Sequence, residues 1–393
     1  MSDFIKVAKR IDEMPAYIFS EINKIKEQAR AKGTDLISLA IGDPDKATPP
    51  AVVEKMRAAI EKQPNHQYSP YDGTKAFREA AARFMQRRFG VDVDPNSEVV
   101  ALVGSKEGIA HLPLAFCDPG DNILYPTPGF PMYATTISMA GGNPIAIPLT
   151  FDKQFVPDLA HLKVQLERHK PKYLILNYPH NPTSAIISRD TLEQILGMAR
   201  EHRCFVAFDN AYSEIYFDEN KKPISALEIP GAKDLVIEFH TLSKTFNMTG
   251  WRIAFAVGNK TLVQALLKVK TNIDSGPFPA TQEAAVFALD NEDAIASEGR
   301  QMYAARRKVA LAGLDKLGIE YLPNHATFYV WASVPNGQSS MDFCKKLIEE
   351  QGVVCTPGVG FGPEGEGFFR LALTVDVPRI EEAMKRLGKF LGR

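Results

Sequence analysis

Short apolar runs alternate with longer amphipathic stretches along most of the chain. Residues 99–103, 173–176, 204–208 and 235–239 are apolar nearly throughout, as strands are when helices cover both faces of a parallel sheet. Residues 74–88 and 189–202 carry apolar positions at helical spacing. This order predicts an α/β fold whose large domain, residues 48–285, has a mainly parallel sheet between helices. From 281 to 317 the pattern is largely helical, broken near Asp290-Asn291-Glu292, and it includes the crossing to a smaller α/β domain over 286–393. There the pattern predicts a strand over 327–333, a helix over 340–351, a short strand at Val353, a strand around Arg370 and a closing helix from Pro378. Residues 1–47 read as an arm that packs with the smaller domain. The glycines of 358–362 do not join a strand to a helix as a nucleotide loop would, and read as a mobile loop.

Several predicted strands end in groups that carry chemistry. The run His240-Thr241-Leu242-Ser243-Lys244 places an amine just past a buried strand, and Arg252 follows eight residues later. A lysine amine can form a Schiff base with a carbonyl cofactor. Hydroxyls and an arginine fork suit a phosphate. Together they point to pyridoxal 5'-phosphate (PLP), although Lys244 alone would read as a solvated turn lysine. The strand before Asp209 puts a carboxylate at a sheet's carboxyl edge, where ligands bind; it can keep a pyridine nitrogen protonated, with Tyr212 offering a hydrogen bond to the ring's phenolic oxygen. An N-cap is the plainer role for Asp209.

Asn181 lies in a loop stiffened by Pro179 and Pro182 and can aim its amide at the phenolic oxygen and a substrate carboxylate. Gly104-Ser105-Lys106 opens a helix whose first turn can take an anion, or is simply a Ser-capped start. Phe130 follows a strand and can stack on a flat ring, or fill the core. Arg370 sits in a predicted strand, where a substrate carboxylate or an internal acid such as Glu364 or Glu366 would satisfy it.

These words resemble the fold type I PLP-dependent enzymes, specifically the class I/II aminotransferases, and the resemblance runs from Leu39 to Leu371. It implies Lys244 as the covalent lysine, Asp209 at the pyridine nitrogen, and Tyr212 and Asn181 at the ring hydroxyl. It also implies Ser105, Lys106, Thr241, Ser243 and Arg252 around the phosphate, and Arg370 with Gly42 at the substrate's α-carboxylate. Tyr68 matches the tyrosine that reaches a neighbouring subunit's phosphate, so a homodimer with shared sites is implied.

Within the family, Asn65-His66-Gln67-Tyr68, Gly104 to His111, Thr249 to Arg252 and Asn272 to Gly276 most resemble the LL-diaminopimelate aminotransferases. That implies exchange of an amino group between LL-diaminopimelate and 2-oxoglutarate, in lysine biosynthesis. Aspartate-, alanine- or glutamate-type transamination and a PLP-dependent lyase stay open. Thr183-Ser184-Ala185 and Asp209-Asn210-Ala211 depart from the usual words, which hold glycine and a second small residue. Asp274, Tyr17 and Lys106 are weak candidates for the substrate's distal group.

Composition adds exclusions. A formal net charge of −1 gives no general reason to bind nucleic acid or an acidic membrane. The first ten residues are charged and lack the apolar core of a secretory signal, and no apolar stretch is long enough for a membrane span. Four scattered cysteines without C-x-x-C fit a reducing cytoplasm and argue against zinc. The histidines show no ligand spacing; His111, His180 and His240 read as structural.

Overall fold

A computed structural model describes residues 6–12 and 19–393. Twelve strands lie among the described residues: β1 Ile37–Ser38, β2 Val99–Leu102, β3 Asn122–Thr127, β4 Asn143–Pro148, β5 Tyr173–Asn177, β6 Phe205–Asp209, β7 Val236–Thr241, β8 Ala254–Gly258, β9 Tyr329–Ser333, β10 Val353–Val354, β11 Thr356–Pro357 and β12 Phe368–Ala372. Seven form one sheet in the order β2-β8-β7-β6-β5-β3-β4. Only β8 runs against its neighbours.

The apolar runs explain the layering. Successive side chains of a strand point to opposite faces, and both faces here are covered. Leu174, Leu176, Val206, Phe208 and Val236 enter one core. Tyr173, Ile175, Ala207, Ile237 and Phe239 enter the other. The flanking helices start and stop on local chemistry. Lys75–Phe89 is capped by the Thr74 side chain and ends at Gly90 in the left-handed region, while Arg189–Glu201 is capped by Ser188.

A third core joins the segment around β1 to the chain's last third, with Ile37, Leu39, Phe328, Val330, Phe343, Val354 and Leu371 in one cluster. β1 pairs in parallel with β10, and β12 lies between β11 and β9. The helical stretch after residue 278 is two helices, Pro279–Asp290 and Glu292–Lys316, meeting at Asn291. The glycine run 358–362 differs from the mobile loop that its composition suggests. It forms a 3₁₀ turn whose Phe361 is buried and whose Phe361 carbonyl accepts from the Gly129 amide. Packing of that aromatic outweighs the freedom of the glycines. No helix among the described residues is long and apolar enough to cross a membrane.

Candidate active site

The carboxyl ends of β5, β6 and β7 open onto a cavity of about 480 Å³. Parallel strands end on the same side of the sheet, so Asn177, Asp209 and Thr241 gather at one edge. Lys244 stands on the single helical turn Leu242–Thr245 that follows β7, and its Nζ donates to the Gly42 carbonyl at 2.6 Å. Removal from water, helped by the Arg370 and Arg252 charges and opposed by Asp43, lowers its ammonium pKa to about 8.

Asp209 is buried, and its Oδ2 accepts from the Tyr133 hydroxyl at 2.7 Å. Burial pushes its carboxyl up to about 6, against the Tyr133 bond, the Ala211 amide and His240. Its Oδ1 is buried without a well-aligned hydrogen-bond partner. Tyr133 comes from the helix Met132–Met139, and Phe130 meets its ring edge-on at 5.8 Å between centroids.

Arg370 projects from β12 into the same cavity. Its Nη1 donates to Asn181 Oδ1 and its Nη2 to the Ala40 carbonyl, both at 2.7 Å, and its guanidinium lies 4.1 Å from the Tyr329 ring centroid. The acids near it in sequence serve elsewhere: Glu366 takes the Ser340 amide and hydroxyl, and Glu364 takes the Thr127 hydroxyl. A polar chain continues inward, because the Asn181 amide donates to Asn177 Oδ1 and Asn177 Nδ2 donates to the Asp209 carbonyl.

The cavity is also lined by Ser105, Lys106, Thr241, Ser243 and Arg252. Gly104 caps the helix Ser105–Phe116 at φ 85°, and a Cβ there would lie 2.0 Å from Arg252 Nη2. Only glycine admits both the backbone and the guanidinium. Gly42 is constrained likewise: a Cβ would fall 1.9 Å from the Tyr329 hydroxyl.

Lys244, Asp209, Tyr212, Asn181, Phe130, Ser105, Lys106, Thr241, Ser243, Arg252, Gly42 and Arg370 all line this one cavity, whereas Gly104 backs it from behind Arg252. Tyr68 does not line it and is 93% exposed. Asp274 is bonded to Lys270, and Tyr17 lies outside the described residues. Tyr133 and Tyr329 escaped the sequence reading. The Tyr329 hydroxyl lies 2.9 Å from that of Tyr212, and nothing in an apolar strand word marks such a residue. Tyr133 had one signal, its place one helical turn after Phe130.

The model of the aminotransferase class I and II family matches residues 34–387. The chain belongs to this family. As a class I and II aminotransferase it is PLP-dependent and moves an amino group between an amino acid and a 2-oxo acid. It is 49% identical over 391 residues to a Nitratidesulfovibrio vulgaris protein named LL-diaminopimelate aminotransferase, covering 99% of this chain and 100% of that one. An Aquifex aeolicus protein of the same name is 47% identical over 378 residues, covering 96% and 97%. Among solved structures, substrate-bound BacF of Bacillus subtilis superposes with a TM-score of 0.93 at 33% identity, covering 98% of each chain. A single mutant of Thermus thermophilus aspartate aminotransferase also reaches 0.93, at 28% identity, covering 98% of this chain and 100% of that one.

The two departures from the family's usual words have structural counterparts. Ser184 holds φ 67°, where glycine is the easier residue, and its hydroxyl bonds Thr327 Oγ1 and the Tyr329 carbonyl. Asn210 is buried and donates to Glu238 Oε1 at 2.9 Å. In both cases a polar side chain donates to a partner inside.

Proposed function

We propose that this cavity holds PLP on Lys244 and that the aminotransferase uses LL-diaminopimelate with 2-oxoglutarate. The observation that carries the cofactor placement is Asp209. Its carboxylate is buried, lines the cavity and is oriented through one oxygen by Tyr133, while its other oxygen has the Ala211 amide near it but no well-aligned partner. A protonated ring nitrogen is the partner such an atom requires. The substrate assignment is supported by the full-length likeness to the two relatives of that name.

When bound, PLP supplies the sink for electrons released at the substrate's Cα. Lys244 Nζ takes and holds the Cα proton; lowering its pKa to about 8 leaves a fraction of the amine in the basic form near neutral pH, where an ordinary lysine has almost none. Arg370 grips the α-carboxylate with its fork and orients the Cα–H bond, with Asn181 and Gly42 beside it. Tyr212 hydrogen-bonds the ring hydroxyl. Ser105, Lys106, Thr241, Ser243 and Arg252, with Gly104 clearing the space, hold the phosphate, and Phe130 stacks on the ring.

Residues 48–285 form the cofactor domain in this reading, 286–393 the smaller domain, and the segment before 48 packs with the latter. The enzyme works as a homodimer in which Tyr68 crosses to the neighbouring site. Its free cysteines support a cytoplasmic setting.

A half-reaction screen tests the assignment. LL-diaminopimelate, glutamate, aspartate, alanine and phenylalanine are added separately to the holoenzyme while the bound cofactor's visible absorbance is followed. Rapid conversion by LL-diaminopimelate and glutamate alone is expected, together with no turnover in Lys244→Ala. Conversion by aspartate or alanine instead overturns the substrate, and conversion by none overturns transamination.

A further inference from the structure

Outside the cavity wall, two helices meet at one buried cation. Lys270, in the last turn of the helix Lys260–Ile273, is fully buried. Its ammonium donates to Asp274 Oδ1 at 2.5 Å and to Glu107 Oε2 at 3.2 Å. His111 Nδ1 lies 2.9 Å from Glu107 Oε1 and 3.8 Å from Asp274 Oδ2. The ligand atoms of Glu107, His111 and Asp274 lie within 4.8 Å of one another, close enough for a metal ion. The cation among them is the protein's own. A buried ammonium is tolerated only when paired, so these side chains have little freedom to separate.

What they hold is the phosphate end of the site. Glu107 Oε2 also accepts the Val103 amide at 2.7 Å. That bond closes the turn Val103-Gly104-Ser105-Lys106, and the Val103 carbonyl takes Arg252 Nη2 at 3.3 Å. A carboxylate in the first turn of a helix is also favoured by the helix dipole. On its other side the cluster leads from Asp274 to Gly276, where a Cβ would fall 2.2 Å from the Pro70 carbonyl oxygen, so the backbone after Tyr68 packs directly on this glycine. The loop that carries Tyr68 is therefore braced from the same point.

We infer that Lys270, Glu107 and Asp274 are positioning residues for cofactor retention, an internal ion cluster that fixes the phosphate-binding turn. None of them lines the cavity, so their effect runs through the backbone at 103–106 and through Arg252. This rests on the placement of PLP proposed above.

The test is a PLP titration of apoenzyme, read by protein fluorescence, alongside kcat at saturating PLP. Glu107→Gln keeps an oxygen for the Val103 amide and removes the charge that answers Lys270. It is expected to raise the PLP dissociation constant roughly tenfold or more, with kcat at saturation within about twofold of the unaltered enzyme. Glu98→Gln, which removes a carboxylate paired 2.9 Å from Lys233, controls for charge and is expected to leave PLP binding unchanged. Lys270→Arg keeps the cation and is expected to retain more PLP than Lys270→Met. Parental PLP affinity in Glu107→Gln, even with a lowered melting temperature, overturns the inference. Failure of the unaltered chain to take up PLP is a different result, and overturns the cofactor placement instead.

Discussion

Asp209 shows how one buried carboxylate is kept usable. Desolvation favours its neutral form, yet the role proposed for it needs the charge. The Tyr133 hydroxyl supplies part of the difference, at 2.7 Å and away from water. Removing that donor in Tyr133→Phe raises the carboxyl pKa further, so the carboxylate is lost at a higher pH as the solution is acidified. A hydrogen bond to a charged group contributes ~1.5 kcal/mol, and 1.36 kcal/mol corresponds to one pH unit. The acid limb of the kcat/KM profile is therefore expected to move up by about one unit, with the alkaline limb in place. An unmoved acid limb means that Tyr133 only fills space.

At the level of elements, the start of the helix Glu292–Lys316 carries an unusual load. Glu292 and Glu214 are both buried there, beside Arg88 and Arg300. Burial and the neighbouring Glu214 push the Glu292 carboxyl up to about 8. The folded chain thus keeps a proton that the unfolded chain releases near its ordinary value of 4.5. This contribution to stability is complete below that value and is lost as pH rises through about 8. Glu292→Gln mimics the protonated form. Its melting temperature should match the parent near pH 4 and exceed it above pH 8, by ~3 °C. Equal melting curves at both pH values would sink the idea.

The same scale shows what the sequence carried. The helices read over 74–88, 189–202 and 340–351 were legible because apolar spacing is local, and their starts lie at the capping hydroxyls of Thr74, Ser188 and Ser339. The long helical tract split at Asn291 where its pattern broke. The strand pairings, the hydroxyl pair Tyr212–Tyr329 and the Tyr133–Asp209 bond join residues far apart in the chain, so no window of sequence contains them. The glycine run 358–362 misled for the same reason: its turn is decided by Phe361 and its distant neighbours.

For the whole molecule, the exposed surface around Tyr68 carries weight. Tyr68 is 93% exposed, with Tyr71 at 50%, Ile273 at 55% and Phe278 at 39%. Large apolar groups rarely gather in water without a partner. A homodimer is expected by sedimentation equilibrium, at twice the chain mass. Tyr68→Phe is expected to remain dimeric yet to lose PLP more readily on dilution; an active monomer would overturn the shared site.

The pairing of β1 with β10 also bears on how the enzyme is made. The Leu39 amide donates to the Val354 carbonyl, the Leu39 carbonyl accepts from the Ala372 amide, and the Ala40 carbonyl receives Thr356 Oγ1 and Arg370. A growing chain leaves the ribosome N-terminus first. The stretch ahead of Gly42 is therefore synthesised before residues 354–372 and cannot pair with them until they have emerged. The floor of the cavity is sealed only after the central sheet's strands have been made, so a nascent chain can complete that sheet well before it owns a finished grip for a substrate's carboxylate.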